Sequence, residues 1–210
     1  MTPAATLAEG LTGLGLSLSD EASRGLLAYV ELLIKWNRTY NLTAIRDPER
    51  MVSHHLIDSL SVLPHLPGGS LVDIGSGGGL PGIPIAIAQP HRRVTLNDSN
   101  HKKGAFLKQA AIELGLANVE VHVGRAEEWR PAERFDGAIS RAFAELADFI
   151  AACRHLVKPG GFFAAMKGLH PHEEIGKAPT QVRCEAAIKL NVPFVDGDRH
   201  LVLCRTGSPR

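Results

Sequence analysis

The sequence predicts an α/β protein: a mostly parallel sheet with an antiparallel final strand, preceded by an N-terminal helical extension. Three observations carry this. From Leu71 onward, short apolar runs of strand length alternate with segments of helical periodicity, as in a parallel sheet with crossover helices. Before Leu71 the apolar spacing is helical. After Met166, two strand-like runs follow with no convincing long helix between them, which suits an antiparallel close.

Taken in order, Ser19-Asp20-Glu21 is a capping signal, and Leu26, Leu27, Val30, Leu33 and Ile34 then share one helical face over residues 19–38. Asp47-Pro48-Glu49 opens a second helix that continues through Met51, Val52, Leu56, Ile57, Leu60 and Val62. Residues 1–66 are therefore expected to be an extension packed on a core of residues 67–210, with Pro64 to Ser70 as the link. In the core, Leu71 to Ile74 reads as strand one, and about Leu80 to Ala88 as a helix whose first turn tolerates Pro81 and Pro84. Val94 to Asn97 reads as strand two, and Lys102 to Leu114 as a helix closed by Gly115. Val119 to Val123 alternates at period two, and Gly137 to Ser140 is a fourth strand. A helix from Ala144 to Val157 should stop at Pro159-Gly160-Gly161, with Phe162 to Met166 as strand five and 185–192 and 200–205 as the closing strands.

Bulk properties narrow the class. A chain of 210 residues, 44% hydrophobic and 21% charged, suits one globular domain plus an extension. No apolar run approaches the ~20 residues of a membrane helix. Leu11 to Leu18 is short, glycine-broken and lacks a preceding basic residue, so it is no secretory signal, and the expected location is the cytoplasm. Cys153, Cys184 and Cys204 are odd in number and far apart, which argues against a disulfide framework and for buried thiols in a reducing compartment. His170 and His172 flank Pro171 without a third ligand nearby, so no metal site is expected. Net charge is +1, with five basic against seven acidic residues up to Ser70 and eighteen against fifteen beyond, so any nucleic-acid surface must be local.

Chemistry concentrates in Leu71-Val-Asp-Ile-Gly-Ser-Gly-Gly-Gly-Leu-Pro-Gly82. A strand runs into a glycine turn that lets a ligand approach closely, and a helix start follows. In one phase, Gly77 to Gly82 satisfies G-x-G-x-x-G with Asp98 at the distance of a ribose-binding acid, the pattern of a dinucleotide-dependent oxidoreductase. In the other, Asp73-x-Gly75-x-Gly77-x-Gly79 is the pattern of an S-adenosylmethionine site, again with Asp98 for the ribose hydroxyls. The turn alone does not choose. Ala126-Glu127 after strand three, Phe135 to Ser140, and Leu156 to Gly161 entering a strand resemble class I methyltransferases and favour the second phase. Asp98 would also serve as a helix cap, and Glu127 is balanced between a ligand contact and a solvated turn.

Several stretches converge on a narrower resemblance: Leu32 to Asn37, Tyr40 to Arg46, His55 to Leu60, Leu71 to Gly82, Asp98-Ser99, Ser140 to Phe143 and Met166 to Gly168. Across residues 26–205 the chain resembles the bacterial 16S ribosomal RNA guanine-N7 methyltransferases, the glucose-inhibited division protein B family. The resemblance implies a class I S-adenosylmethionine-dependent methyltransferase fold and methyl transfer to N7 of a guanine in a loop of 16S rRNA. It implies cofactor contacts from the glycine turn, Leu80, Ala126, Glu127 and Arg141. The implied partner is 16S rRNA or the small ribosomal subunit, with no membrane and no obligate protein partner, and alignment through Asp58-Ser59 gives His55 the family's histidine position. An RNA-binding module with a vestigial cofactor site is the non-enzymatic alternative.

Guanine N7 carries a free lone pair at neutral pH, so no general base is needed and positioning should dominate. Absences agree with a ring-nitrogen acceptor. No Asn/Asp-Pro-Pro-aromatic run follows strand four, and no cysteine follows a proline. Arg141 is expected to act at the site, orienting the cofactor or reading guanine O6, in competition with a surface ion pair to Glu127 or Glu145. Candidates for phosphate contact are Arg38, Arg46, Arg50, Arg92, Arg93, Lys102, Lys103 and Lys167, with His55 at the rim. Trp36 and Tyr40 are candidates for base stacking, Trp36 better suited to the core, and His55 and Asp58 are expected either as a polar pair at the site's rim or as a tie between extension and core.

Overall fold

The computed structural model describes residues 1–141, 143, 145–168 and 171–207. Ala142 and Ala144 of the Ser140 to Val157 segment, and His170 of the histidine pair, lie outside the described residues. The first helix, α1 (Pro3–Gly13), has no counterpart in the sequence reading; Thr2 caps it by accepting from Ala5 N. Helix α2 (Asp20–Tyr40) is capped by Ser19, as expected, and ends where Asn41 turns left-handed at φ 50°. Asp47 caps α3 (Pro48–Met51), which widens into a π-helical stretch, Val52–Ile57, before α4 (Asp58–Leu60). Such widened turns are frequent at functional sites.

The core follows as β1 (Leu71–Ile74), α5 (Gly82–Ala88), β2 (Val94–Asp98), α6 (His101–Glu113), β3 (Val119–Val123), β4 (Phe135–Ser140), α7 (Leu146–Cys153) and β5 (Val157–Lys167). A short α8 (His172–Gly176) precedes β6 (Val182–Cys184), β7 (Ile188–Leu190) and β8 (Arg199–Thr206). The sheet order is β3-β2-β1-β4-β5-β8-β6, with β7 also pairing β8. Strands β1 to β5 pair in parallel, and β8 runs antiparallel to β5. The strand order therefore reverses between β1 and β4, which remain parallel, and open α/β sheets form a crevice at the carboxyl ends of the strands at such a point.

Two expectations need correction. Pro159-Gly160-Gly161 does not precede β5 but lies within it: the register shifts between Phe135 and Gly137, and the extra residues bulge outward with Gly160 at φ +76°. Cys184 and Cys204 are not separate thiols but a disulfide, with Cα atoms 3.9 Å apart, because β6 pairs with β8 in a register that sets them opposite each other. That pairing spans two strands no motif links. Cys153 is the buried free thiol expected of it.

Alternation along the strands builds two hydrophobic clusters. Phe162, Ala164 and Met166 of β5 face one side with Leu201 and Leu203; Phe163 and Ala165 face the other with Val202 and the α7 residues Phe149 and Ile150. The first cluster is continuous with the extension, since Leu26, Tyr29, Leu33, Leu56 and Ile57 pack there with Ile83, Ile87 and Phe106. Each fully buried aliphatic side chain contributes about 1.5–3 kcal/mol. Detaching the extension would thus cost an amount comparable to a domain's whole stability of about 5–15 kcal/mol.

Candidate functional site

The glycine turn after β1 is braced from within. Asp73, at the end of the strand and fully buried, accepts on Oδ2 from Ser76 Oγ at 2.6 Å and from Gly82 N at 2.9 Å, which ties the turn to the first amide of α5. Gly82 must be glycine, because a Cβ there would lie 2.8 Å from Asp73 Oδ2 and collide with Leu96. Burial, offset by those two hydrogen bonds, pushes the Asp73 carboxyl up to about 6. Its Oδ1 is buried without a hydrogen-bond partner among the described residues.

Asp98, at the end of β2, accepts from Gly77 N at 2.9 Å on Oδ2 and from Asn100 N at 2.8 Å on Oδ1. It thus braces the turn and steadies Asn100, which itself caps α6. Each carboxylate oxygen keeps a further lone pair. Beside it lies a cavity of about 360 Å³ walled by Gly75, Asn97, Asp98, Ala126 and Glu127. A Cβ on Gly77, at φ +59°, would have only Gly75 O near it, at 3.9 Å, so the turn is uncrowded on that side. A cavity of nucleoside size, a carboxylate at its wall, an orphaned buried carboxylate oxygen and a bare glycine turn fit S-adenosylmethionine. Leu80 packs its side chain into the core cluster, leaving only its backbone at the turn.

A second cavity, also about 360 Å³, opens over the ends of β4, β5 and β8. It is lined by Ile45, His54, Asp58, Arg141, Arg199 and His200, among others. Given the strand order, the two cavities lie side by side along the sheet's carboxyl edge, on either side of the β1–β4 junction, and Arg141 follows directly from β4.

Arg141 makes neither of the ion pairs anticipated for it. Its Nη1 donates to Asp58 Oδ2 at 3.1 Å and to His54 O at 3.2 Å, while Glu127 pairs with Arg125 at 3.4 Å. Asp58 also receives Arg199 Nε on Oδ1 at 3.1 Å. His55 and Asp58 are therefore not a pair with each other. The His55 ring bonds His54 O through Nδ1 and Thr43 Oγ1 through Nε2, at 3.1 and 2.8 Å. A carbonyl only accepts, so Nδ1 carries the proton and Nε2 accepts from the Thr43 hydroxyl. Burial, reinforced by Arg141, pulls the His55 pKa down to about 4, and burial lowers that of His54 as well. Two guanidinium groups thus share one carboxylate in a cavity whose rim histidines 54 and 55 are neutral at pH 7.

The basic candidates separate by location. Lys102 and Lys103 start α6 beside the first cavity, with Lys103 Nζ 4.0 Å from Asp98 Oδ2. Arg38, Arg46 and Arg50 are exposed on the extension. Lys167 is not: only 8% of its side chain is exposed, its Nζ lies 2.6 Å from Glu174 and donates to Phe143 O at 3.1 Å. Arg92 is buried and donates to Gln89 and to Pro67 O, and Arg93 pairs with Glu133; both precede β2 and so lie at the opposite end of the strands. These three leave the phosphate-contact set. Trp36 stacks on Tyr40 and tilts against Phe106, half-buried at the margin of the core cluster, and Tyr40 stays exposed. Arg199 and His200 were missed, since no motif surrounds them, whereas His54 lines the cavity together with its neighbour His55.

No helix among the described residues is long and apolar enough to cross a membrane. No group of three or more His, Cys, Asp or Glu side chains among them is placed to hold a metal ion.

Comparison with known proteins agrees with this geometry. The cofactor-bound Rv0187 protein from MTB is similar in structure with a TM-score of 0.64 at 18% identity, covering 89% of this chain and 91% of that one. The O-methyltransferase TomG from Streptomyces achromogenes, solved with SAM, gives a TM-score of 0.57 at 18% identity over 99% and 100% of the two chains. At that identity they show the fold, that of class I methyltransferases. In sequence, the ribosomal RNA small subunit methyltransferase G of Neisseria meningitidis serogroup B is 54% identical over 94% of this chain and 95% of its own length. Its counterpart in Chromobacterium violaceum is 52% identical with the same coverage. The family profile described as rRNA small subunit methyltransferase G matches residues 22–202, more than half of the chain, and the chain therefore belongs to that family.

Proposed function

We propose that this protein transfers a methyl group from S-adenosylmethionine to N7 of a guanine in 16S rRNA, with the donor over β1 to β3 and the guanine over β4, β5 and β8. The observation that carries this is the adjacency of the two cavities at the β1–β4 reversal, with Arg141 following β4 between them. Bound S-adenosylmethionine supplies a methyl group on a positively charged sulfur. Asp98 accepts from ribose hydroxyls with the lone pairs it keeps, Ala126 and Glu127 wall the base, and the glycine turn offers backbone at close approach.

On the acceptor side nothing has to remove a proton, because N7 is already a lone pair. That suits a pocket whose His55 has both ring nitrogens committed and a pKa far below neutrality. Among the described residues Arg141 is held through Nη1 alone, which leaves guanidinium N–H groups to donate to guanine O6 while N7 stays open. Arg199, sharing Asp58, answers the charge of the flanking phosphodiester. Catalysis is then alignment, which supplies up to about 7–11 kcal/mol in well-oriented cases. N7 in an A-form helix lies in a groove too narrow for side chains, so the target is expected unpaired or displaced. Arg38, Arg46, Arg50, Lys102 and Lys103 form the candidate phosphate-tracking rim.

Incubating the purified protein and radiolabelled S-adenosylmethionine with small subunits, and separately with naked rRNA, both from cells lacking the enzyme, tests this. Label at one guanine N7, mapped by cleavage at the methylated base, is the expected result. Label on an exocyclic amine or carbon, or none on either substrate, overturns the proposal.

A further inference from the structure

Helix α2 of the extension reaches into the donor site from behind. Tyr29, fully buried, donates its hydroxyl to Gly78 O at 2.5 Å across 49 positions of sequence. The same peptide unit is held at its other end, because Gly79 N donates to Ser76 O at 2.8 Å. A Cβ on Gly78 would stand 3.2 Å from Leu33 and 3.7 Å from Leu42, so the turn is pressed against the extension on this side. A Cβ on Gly77, by contrast, would meet nothing closer than Gly75 O at 3.9 Å. A peptide between two glycines flips at little steric cost, since neither side chain opposes it. Here its carbonyl direction is set by a phenol from outside the sheet domain together with the Gly79 N–Ser76 O bond at the other end. Burial raises the Tyr29 pKa, so the hydroxyl remains a donor across the physiological range.

We propose that Tyr29 is a positioning residue for the methyl donor: its hydrogen bond to Gly78 O fixes the Gly78–Gly79 peptide and thereby pre-forms the face of the glycine turn that receives S-adenosylmethionine. The extension is then part of the donor site, in addition to any part it plays with RNA. This rests on the reading of the glycine turn as the place where the donor binds.

The test is calorimetric binding of S-adenosylmethionine to the full-length protein, alongside steady-state kinetics on small subunits. Tyr29→Phe is expected to weaken donor binding and raise the donor KM by about 10-fold, the loss of one buried hydrogen bond. kcat at saturating donor and the KM for subunits should stay within about twofold, because the bond acts before the transition state. Leu7→Ala, a truncation in α1 away from the turn, should lower Tm with donor affinity unchanged. Equal weakening by Leu7→Ala, or wild-type affinity in Tyr29→Phe, overturns the proposal. Hydrogen exchange on the unmodified protein gives an arm that needs no variant: donor binding should slow exchange in the turn and also in α2 around Tyr29, and protection confined to the turn overturns the coupling. Asp98→Asn separates the premise, for if it leaves donor affinity unchanged, the donor site itself has been misassigned.

Discussion

Asp58 and Arg141, 83 positions apart, meet at 3.1 Å, and the meeting joins the extension to the end of β4. Asp58 is the only carboxylate among the described residues in salt-bridge contact with either Arg141 or Arg199, and its side chain is 5% exposed. Removing its charge leaves two guanidinium groups mutually repelling and free to swing from the pocket. Asp58→Asn is therefore expected to lower kcat/KM on small subunits on the order of 100-fold. Donor affinity should change little, since Asp58 does not line the first cavity. Parallel measurement of donor binding and turnover checks this, and an equal loss in both would mean that the site collapses as a unit.

The donor side has its own signature. Asp98 holds Gly77 and Asn100 through backbone amides, and the lone pairs it has left accept ribose hydroxyls in the proposed mode. Asp98→Asn replaces one acceptor oxygen with a donor, which should weaken S-adenosylmethionine binding by about 10- to 100-fold. Binding of nicotinamide dinucleotides should be undetectable in wild type and variant alike. A measurable nicotinamide affinity would return the G-x-G-x-x-G phase of the turn to contention.

How much of this was legible in the sequence depends on the range of each interaction. β1 and β3 were readable to the residue because a glycine or turn closes a short apolar or alternating run. The ligand turn was readable because its glycines serve local backbone needs. Arg199 was not, since its meaning comes from Asp58, 141 positions away, and β8 brings it there only after the whole sheet is built. Lys167 reads from sequence as a candidate phosphate contact just beyond strand five, and only the docking of α8 sets Glu174 against it. His55 and Asp58 fit one helical turn on paper, but the π-helical stretch and the Thr43 loop give them different partners. The disulfide escaped because strand register cannot be read from cysteine spacing.

Two buried groups should pull stability in opposite directions with pH. The His55 pKa falls to about 4 from 6.5, so the unfolded chain binds that proton first and stability is lost as pH falls below 6.5 toward 4. The Asp73 pKa rises to about 6 from 3.8, so its contribution is full below 3.8 and is lost as pH rises through 6. Between pH 7 and 5 the two terms, each on the order of 1–2 kcal/mol, largely cancel. Thermal unfolding of variants exposes them. His55→Gln should be relatively more stable at pH 5 than wild type is, and Asp73→Asn relatively less, each referred to its own Tm at pH 7. Parallel pH profiles for all three proteins would show that neither burial acts as described.

Lysines near the site divide into those that meet solvent and one that does not, and salt dependence separates them. Lys103 is 38% exposed at the start of α6, whereas Lys167 is sealed between Glu174 and Phe143 O. A phosphate contact releases counterions, so its loss flattens the dependence of affinity on salt by roughly one unit of log–log slope. Lys102→Gln and Lys103→Gln should each weaken subunit binding and flatten that slope, with Tm near wild type. Lys167→Gln should lower Tm by several degrees, because it leaves Glu174 partly buried without its lysine, and should leave the slope as it was. A flattened slope in Lys167→Gln with unchanged Tm would restore that lysine to the RNA surface and require α8 to move aside when RNA binds.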